Sequence, residues 1–220
     1  MTTPVTIGVL GLRFHDLTRS EAANAIVRLA RGEGRYYVVK PYSEFLPRAA
    51  RDPHVRSALE GAALCLPDGV GILWAAHYLS LRGGRMRALF QLPLSLAGMV
   101  VRPAAMRSPL RQAMRGVDFT WEMLGACAEA GLSVYLLGGT KGEVQAAAER
   151  IAQRLPALQV VGARNGYFTD AEAAVEQINA SAPEILLVAM GFPKQELWIA
   201  ANLHRLQVKV AVAEGGSFTF

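Results

Sequence analysis

Acidic residues are missing from a long stretch of this chain: none occurs between Asp68 and Asp118. The same interval holds seven arginines, at 82, 85, 87, 102, 107, 111 and 115. They account for the basic balance of the whole protein, 23 Lys and Arg against 18 Asp and Glu; without them the remainder is slightly acidic. Cysteine is nearly absent. Cys65 and Cys127, each in an apolar run, cannot build a disulfide framework or a cysteine-rich zinc site, and they suit a reducing cytoplasmic compartment. The start, MTTPVTIGVLGL, lacks the positive head and apolar core of a signal peptide. No apolar run reaches the roughly 20 residues that a bilayer span needs. A disordered chain is excluded too, because 52% of the 220 residues are hydrophobic and only 19% are charged.

The basic interval has an apolar centre, Ala88–Val101, flanked by Arg87 and Arg102. It is too short to span and carries Gln91 and Pro93. Apolar residues with arginines at both ends suit a segment lying in a membrane interface, with Arg82, Arg85, Arg87 and Arg102 as its cationic contacts. The competing readings are a hairpin packed on its own domain and an oligomer contact. No nucleic-acid partner is expected, since a base-binding stripe usually interleaves aromatics and this stretch has only Phe90.

Elsewhere, strand and helix patterns alternate. Thr18-Arg19-Ser20-Glu21 spells a capping box before a helix over 22–31. Strands are predicted at Tyr36–Val39, Leu64–Leu66, Val134–Leu137, Gln159–Gly162, Ile185–Met190 and Val208–Ala213. Helices are predicted over 43–59, with Pro47 and Pro53 as potential breaks, and over 70–81, 120–130, 142–155, 170–180 and 193–206. This alternation predicts an α/β fold: a Rossmann-like parallel sheet with helices on both faces, one domain over 1–220 with a basic apolar insertion at 79–116.

In such sheets the chemistry gathers at the carboxyl ends of the strands. Four loops there carry suitable residues. Lys40-Pro41-Tyr42-Ser43-Glu44 follows YYVV. Pro67-Asp68-Gly69 follows the next strand, and Asp68 in that turn reads either as a base for a substrate hydroxyl or as a helix cap. Gly138-Gly139-Thr140-Lys141-Gly142 can bring backbone and a helix N-terminus to a phosphate, or simply turn the chain. Gly191-Phe192-Pro193-Lys194-Gln195-Glu196 delivers another helix start, with Gln195 and Glu196 as ligand groups or as a solvated first turn.

Several chemistries lack their residues. There is no D-x-D pair for a metal-diphosphate, the four histidines have no metal spacing, and no G-x-S-x-G elbow occurs. Gly69-Val70-Gly71 starts a dinucleotide fingerprint, but Trp74 replaces its third glycine.

The combination of LCLPDGVGILWAA, GVDFTWEML, SVYLLGGTKGEVQAAAERI, NGYFTD, GFPKQELWIA and VAEGGSF resembles the WecG/TagA/CpsF glycosyltransferases, glycosyltransferase family 26. The likeness covers most of residues 5–219 outside the basic segment. It implies inverting, metal-independent transfer of an N-acetylmannosamine-type or related hexose from a UDP-sugar, with no cofactor. The acceptor it implies is a polyprenyl-diphosphate-linked saccharide at the inner membrane face, in cell-envelope or exopolysaccharide synthesis. It assigns the general base to Asp68. Substrate contacts fall on Lys40, Tyr42, Gly69, Gly138, Gly139, Thr140, Gly166, Tyr167, Phe168, Gly191, Pro193, Gln195 and Glu196. No metal ligand is expected.

The chain departs from the family in reading Lys40-Pro41-Tyr42 for Thr-Pro-Asn, and Thr219 where an aspartate is usual. It also stops where many members continue with a basic tail. Lys40 is expected to face the donor diphosphate, or else to pair with Glu44 or another acid. The alternative functions are an inactive membrane-surface or nucleotide-binding homologue and another nucleotide-dependent α/β enzyme.

Overall fold

A computed structural model describes residues 4–81, 91–93, 95–98, 101, 107–215 and 218. Six parallel strands form the central sheet: β3 (Tyr36–Val39), β4 (Leu64–Cys65), β5 (Ser133–Gly138), β6 (Gln159–Arg164), β7 (Ile185–Ala189) and β8 (Val210–Ala213). Their spatial order is β4-β3-β8-β7-β5-β6. The chain builds outward from β3 to β4, crosses to β5 and builds outward to β6. It then fills the gap with β7 and β8. All six carboxyl ends therefore open on one edge, and the order reverses around β8, where such sheets form their crevice.

The helices are α1 (Arg19–Ala30), α2 (Phe45–Arg51), α3 (Pro53–Glu60), α4 (Gly69–Ser80), α5 (Gly116–Glu129), α6 (Lys141–Arg154), α7 (Ala171–Ala180) and α8 (Lys194–Asn202). Both faces of the sheet are covered, as its unbroken apolar strands require. Val38, Leu136, Leu187 and Val212 pack on one side with α1, α5 and α6. Their neighbours Tyr37, Leu137, Val188 and Ala211 pack on the other with α2, α3, α4, α7 and α8. The Rossmann-like α/β architecture read from the sequence is the one observed.

Local chemistry sets the element ends. Thr18 and Glu21 close the capping box on α1, with the Thr18 N–H donating to Glu21 at 2.8 Å. The helix expected over 43–59 is two helices. Asp52 stops the first and caps the second by accepting from the N–H groups of His54 and Val55, and Pro53 begins α3, where a missing N–H costs nothing. Pro47 stays within the first turn of α2, where its missing N–H is equally harmless. Gly131, at φ 70°, follows the end of α5 as expected.

The sequence reading missed a hairpin of β1 (Thr6–Val9) and β2 (Leu12–His15). Leu10 and Gly11 turn it with φ of 46° and 89°, the conformation of tight two-residue hairpin loops. His15 ties the hairpin to β4: its Nδ1 accepts the Cys65 N–H at 3.0 Å, and burial holds the ring below the usual histidine range. Cys65 and Cys127 are buried free thiols, both pushed up to about 12, and so are chemically quiet.

The basic interval is only partly described. Arg82, Arg85, Arg87 and Arg102 lie outside the described residues. Residues 91–93 and 95–98 are helical, with Leu92 and Leu96 partly exposed. Ser95 anchors this helical stretch by accepting from the Trp74 indole N–H at 3.2 Å. The end of the expected insertion is part of the core, because Leu110 and Met114 are fully buried. Arg111 is a structural cation: it pairs with Asp16 at 3.0 Å and Glu21 at 2.7 Å, pinning this segment to the start of α1. No helix among the described residues is long and apolar enough to cross a membrane.

Candidate active site

The ends of β3, β4, β7 and β8 enclose a cavity of about 140 Å³. Its walls include Lys40, Tyr42, Asp68, Gly191, Gln195 and Glu214. Lys40 is the first residue after β3, and Glu214 the first after β8. The register pairs Val38 with Val212, so the next two steps bring Lys40 beside Glu214. Their ion pair measures 2.7 Å, with the side chains only 2% and 4% exposed. Thr120 Oγ1 donates to the same Glu214 oxygen at 2.7 Å. The other oxygen, Oε1, is buried without a hydrogen-bond partner.

Asp68 occupies the cap position of α4, yet its side chain makes no capping hydrogen bond. Gly69 supports the turn with φ 75°, a conformation that a β-carbon disfavours. Burial raises the Asp68 carboxyl above its ordinary range. The Lys40 charge and the N–H groups of Gly116 and Gly69 oppose that rise, and Glu214 adds to it. A carboxylate made more basic by burial, yet balanced by a nearby ammonium, is suited to taking a proton.

Gln195 is 2% exposed rather than solvated. Its carbonyl oxygen accepts from the N–H groups of Met190 at 3.3 Å and Gly215 at 3.2 Å, joining the ends of β7 and β8. Its amide donates to Glu196 at 2.8 Å. Glu196 sits behind it, fully buried, and burial pushes its carboxyl up to about 7. The cavity rim is aromatic: Phe45 stacks on Phe192 with centroids 3.6 Å apart, and Tyr42 meets Phe45 edge-on at 4.7 Å. Burial and the charges of Glu44, Glu196 and Asp68 hold the Tyr42 hydroxyl above its usual range.

A second group of expected residues gathers at the ends of β5 and β6. Gly138 has φ 146°, and a β-carbon there would lie 2.1 Å from the Ala189 carbonyl oxygen, so only glycine lets β5 approach β7 so closely. The Gly166 N–H donates to the Gly139 carbonyl at 2.9 Å. Lys194 donates to the Gly166 carbonyl at 2.9 Å, with its ammonium about 6 Å from the ring centres of Tyr167 and Phe168. Tyr167 is 78% exposed. Thr140 caps α6: its Oγ1 accepts the Glu143 N–H, and Glu143 accepts the Thr140 N–H at 2.6 Å. Two N–H groups that could have met a phosphate are thereby engaged.

The structure thus brings Lys40, Tyr42, Asp68, Gly191 and Gln195 to one cavity, with Gly69 and Pro193 flanking it and Glu196 behind. It places Gly138, Gly139, Thr140, Gly166, Tyr167 and Phe168 beside it. Of the two readings of Lys40, the structure shows the ion pair. Its partner is an acid, and that acid is Glu214 rather than Glu44. Glu214 and Thr120 were not singled out from the sequence. The signal was an acid directly after the apolar run VAVA, which needs a cation nearby if buried. Thr219 lies outside the described residues. Among the described residues, no three His, Cys, Asp or Glu side chains converge as a metal site would require.

The model of the WecG/TagA/CpsF glycosyl transferase family matches residues 7–96 and 94–220. This chain belongs to that family. Three relatives share the printed name N-acetylglucosaminyldiphosphoundecaprenol N-acetyl-beta-D-mannosaminyltransferase. One, from Bacillus spizizenii, is 25% identical over 83% of this chain and 60% of its own length. A Bacillus subtilis relative is 27% identical over 77% of this chain and 56% of its own length. A Staphylococcus aureus relative is 24% identical over 96% of this chain and 73% of its own length. The chain therefore spans less than two thirds of the length of the two Bacillus relatives.

Proposed function

We propose that this family member is an inverting glycosyltransferase. It moves an N-acetylmannosamine-type sugar or related hexose from a UDP-sugar to a saccharide carried on a polyprenyl diphosphate. The observation that carries this reading is Asp68: a carboxylate in the cavity wall, made more basic by burial and balanced by Lys40. A sugar hydroxyl is a weak nucleophile. Asp68 takes its proton as the oxygen attacks the anomeric carbon from the face opposite the UDP, which inverts that centre. The UDP leaves with its bonding electrons. Lys194, fixed to the Gly166 carbonyl beside Tyr167 and Phe168, supplies positive charge and an aromatic surface for the departing nucleotide. The relatives' names support a lipid-diphosphate acceptor. The arginine-rich interval supports work at the inner membrane face.

The test is transfer from UDP-N-acetylmannosamine to a prenyl-diphosphate-linked N-acetylglucosamine presented in vesicles. Asp68→Asn should retain UDP binding and lose about 10²–10⁴-fold in rate. Transfer should be faster on anionic than on neutral vesicles, with the difference erased by high salt. An Asp68→Asn enzyme of near wild-type rate would remove Asp68 from the reaction.

A further inference from the structure

On the other side of the Asp68 turn lies a cavity of about 270 Å³, walled by Arg19, Val70, Arg107, Gln112, Arg115 and Asp118. Three arginines and one aspartate line it, and Arg107 and Arg115 are both exposed. Arg19 already uses that carboxylate, at 3.5 Å from Asp118, and it also meets Glu122 at 3.4 Å. Arg107 and Arg115 have no acidic partner among the described residues. Two cations on one cavity wall repel each other, and an anion between them relieves that repulsion.

A second feature is independent of the arginines. Both α4 and α5 begin at this cavity, through Val70 in one and Arg115 and Asp118 in the other. Neither helix has a side-chain capping hydrogen bond. The Gly69 and Gly116 N–H groups are turned to the Asp68 carboxylate, but the two helix dipoles still add positive potential to the arginine charge. Guanidinium groups also match phosphate oxygens as paired donors.

The cavity and the base are joined through the backbone. Val70 is two residues beyond Asp68, and the Gly116 N–H that steadies the Asp68 carboxylate follows Arg115 directly. The Met114 N–H donates to the Pro67 carbonyl at 2.7 Å, clamping the two segments together. In a sugar diphosphate the reacting hydroxyl lies one pyranose ring from the phosphates. We propose that Arg107 and Arg115 bind the diphosphate of the glycosyl acceptor, setting its sugar hydroxyl against Asp68. This assignment rests on the transferase reading for the identity of the ligand but not for the anion site itself.

The donor also carries a diphosphate, and membranes carry phosphate, so the test separates the three sources. Inorganic pyrophosphate is titrated calorimetrically, at low salt, into protein saturated with UDP. The Arg107→Gln/Arg115→Gln variant should bind it at least about tenfold more weakly, since a charged hydrogen bond is worth about 1.5–3 kcal/mol. UDP affinity should stay within about twofold. In transfer assays with a water-soluble short-prenyl acceptor, the acceptor KM should rise by a similar factor and the donor KM should hold. Unchanged pyrophosphate binding overturns the proposal, and so does a parallel loss of UDP affinity, which would assign the arginines to the donor. Loss of anionic-vesicle binding with an unchanged acceptor KM would assign them to lipid headgroups and also overturns it. If the wild-type protein transfers no sugar, the calorimetry still judges the anion site, and the failure falls on the transferase reading alone.

Discussion

The two halves of the sheet edge use opposite means to make a binding surface. At β3, β4 and β8 the groups are ionised side chains withdrawn from water: Lys40, Asp68 and Glu214. At β5 and β6 they are backbone and glycine, a closed capping box and an exposed tyrosine. The first kind gains reactivity because burial makes the Asp68 carboxylate more basic, and it depends on one ammonium, Lys40, set among two carboxylates. The second kind holds shape cheaply, with Lys194 as its cation. On the proposed function, chemistry falls to the first half and the nucleotide to the second.

The sharpest way to break that contrast is to remove the charge balance of the first half. Lys40→Met would leave Glu214 buried and unpaired, with one oxygen already lacking a partner. Losing one member of such a pair costs about 3–5 kcal/mol. Urea unfolding should show that loss, and adding Glu214→Leu should recover most of it. The same single variant removes the charge that holds the Asp68 carboxyl down, so the acidic limb of kcat/KM should move to higher pH. A Lys40→Met protein of wild-type stability would show that the pair is not the keystone of this half.

Glu196 offers a smaller test, through pH. Its carboxyl titrates at about 7 in the folded protein, against an ordinary 4.5. Between those values the native state binds more protons than the unfolded one. Stability therefore falls as pH rises from about 4.5 to about 7, by at most about 1.4 kcal/mol per unit, and is level above. Glu196→Gln should flatten the profile in that window, as measured by thermal unfolding at fixed ionic strength. A wild-type profile already flat there would place the Glu196 carboxyl in the ordinary range.

The smallest effect tests the second half. Thr140→Ala should cost about 1 kcal/mol through the lost cap. UDP affinity should stay within about twofold, because the Thr140 hydroxyl oxygen serves as the cap by accepting the Glu143 N–H. A large loss of UDP affinity without loss of stability would make Thr140 a ligand residue rather than a cap.

The second half was also the more legible one. Gly138-Gly139 after VYLL announces a close turn, because glycine there has a local cause. The Thr18 box, the Gly131 stop and the strand YYVV were readable for the same reason: each is fixed within a few residues. The hairpin at Thr6–His15 was not read, since Leu10-Gly11 is a weak turn signal beside Asn-Gly or Asp-Gly. In the first half, the Asp68 turn by itself read more readily as a cap, and the family resemblance pointed to the base. The missing capping bond and the nearby Lys40 charge are what the structure adds for the base.

That alternating strands and helices form a parallel sheet was legible in the residues alone, because periodicity and end signals are local properties of the chain. The sequence also located the loops that carry chemistry, since these must follow the strands. The partners of the charges were decided by tertiary structure alone. Lys40 and Glu214 are 174 positions apart. They meet because β8 inserts beside β3, and burial then leaves each charge no better partner than the other. Arg111 is likewise spent on Asp16 and Glu21, while Arg107 and Arg115, beside the Asp68 turn, have no acidic partner among the described residues. All three arginines look alike in the sequence, because a charge acquires its role from the dielectric and the neighbours that folding gives it.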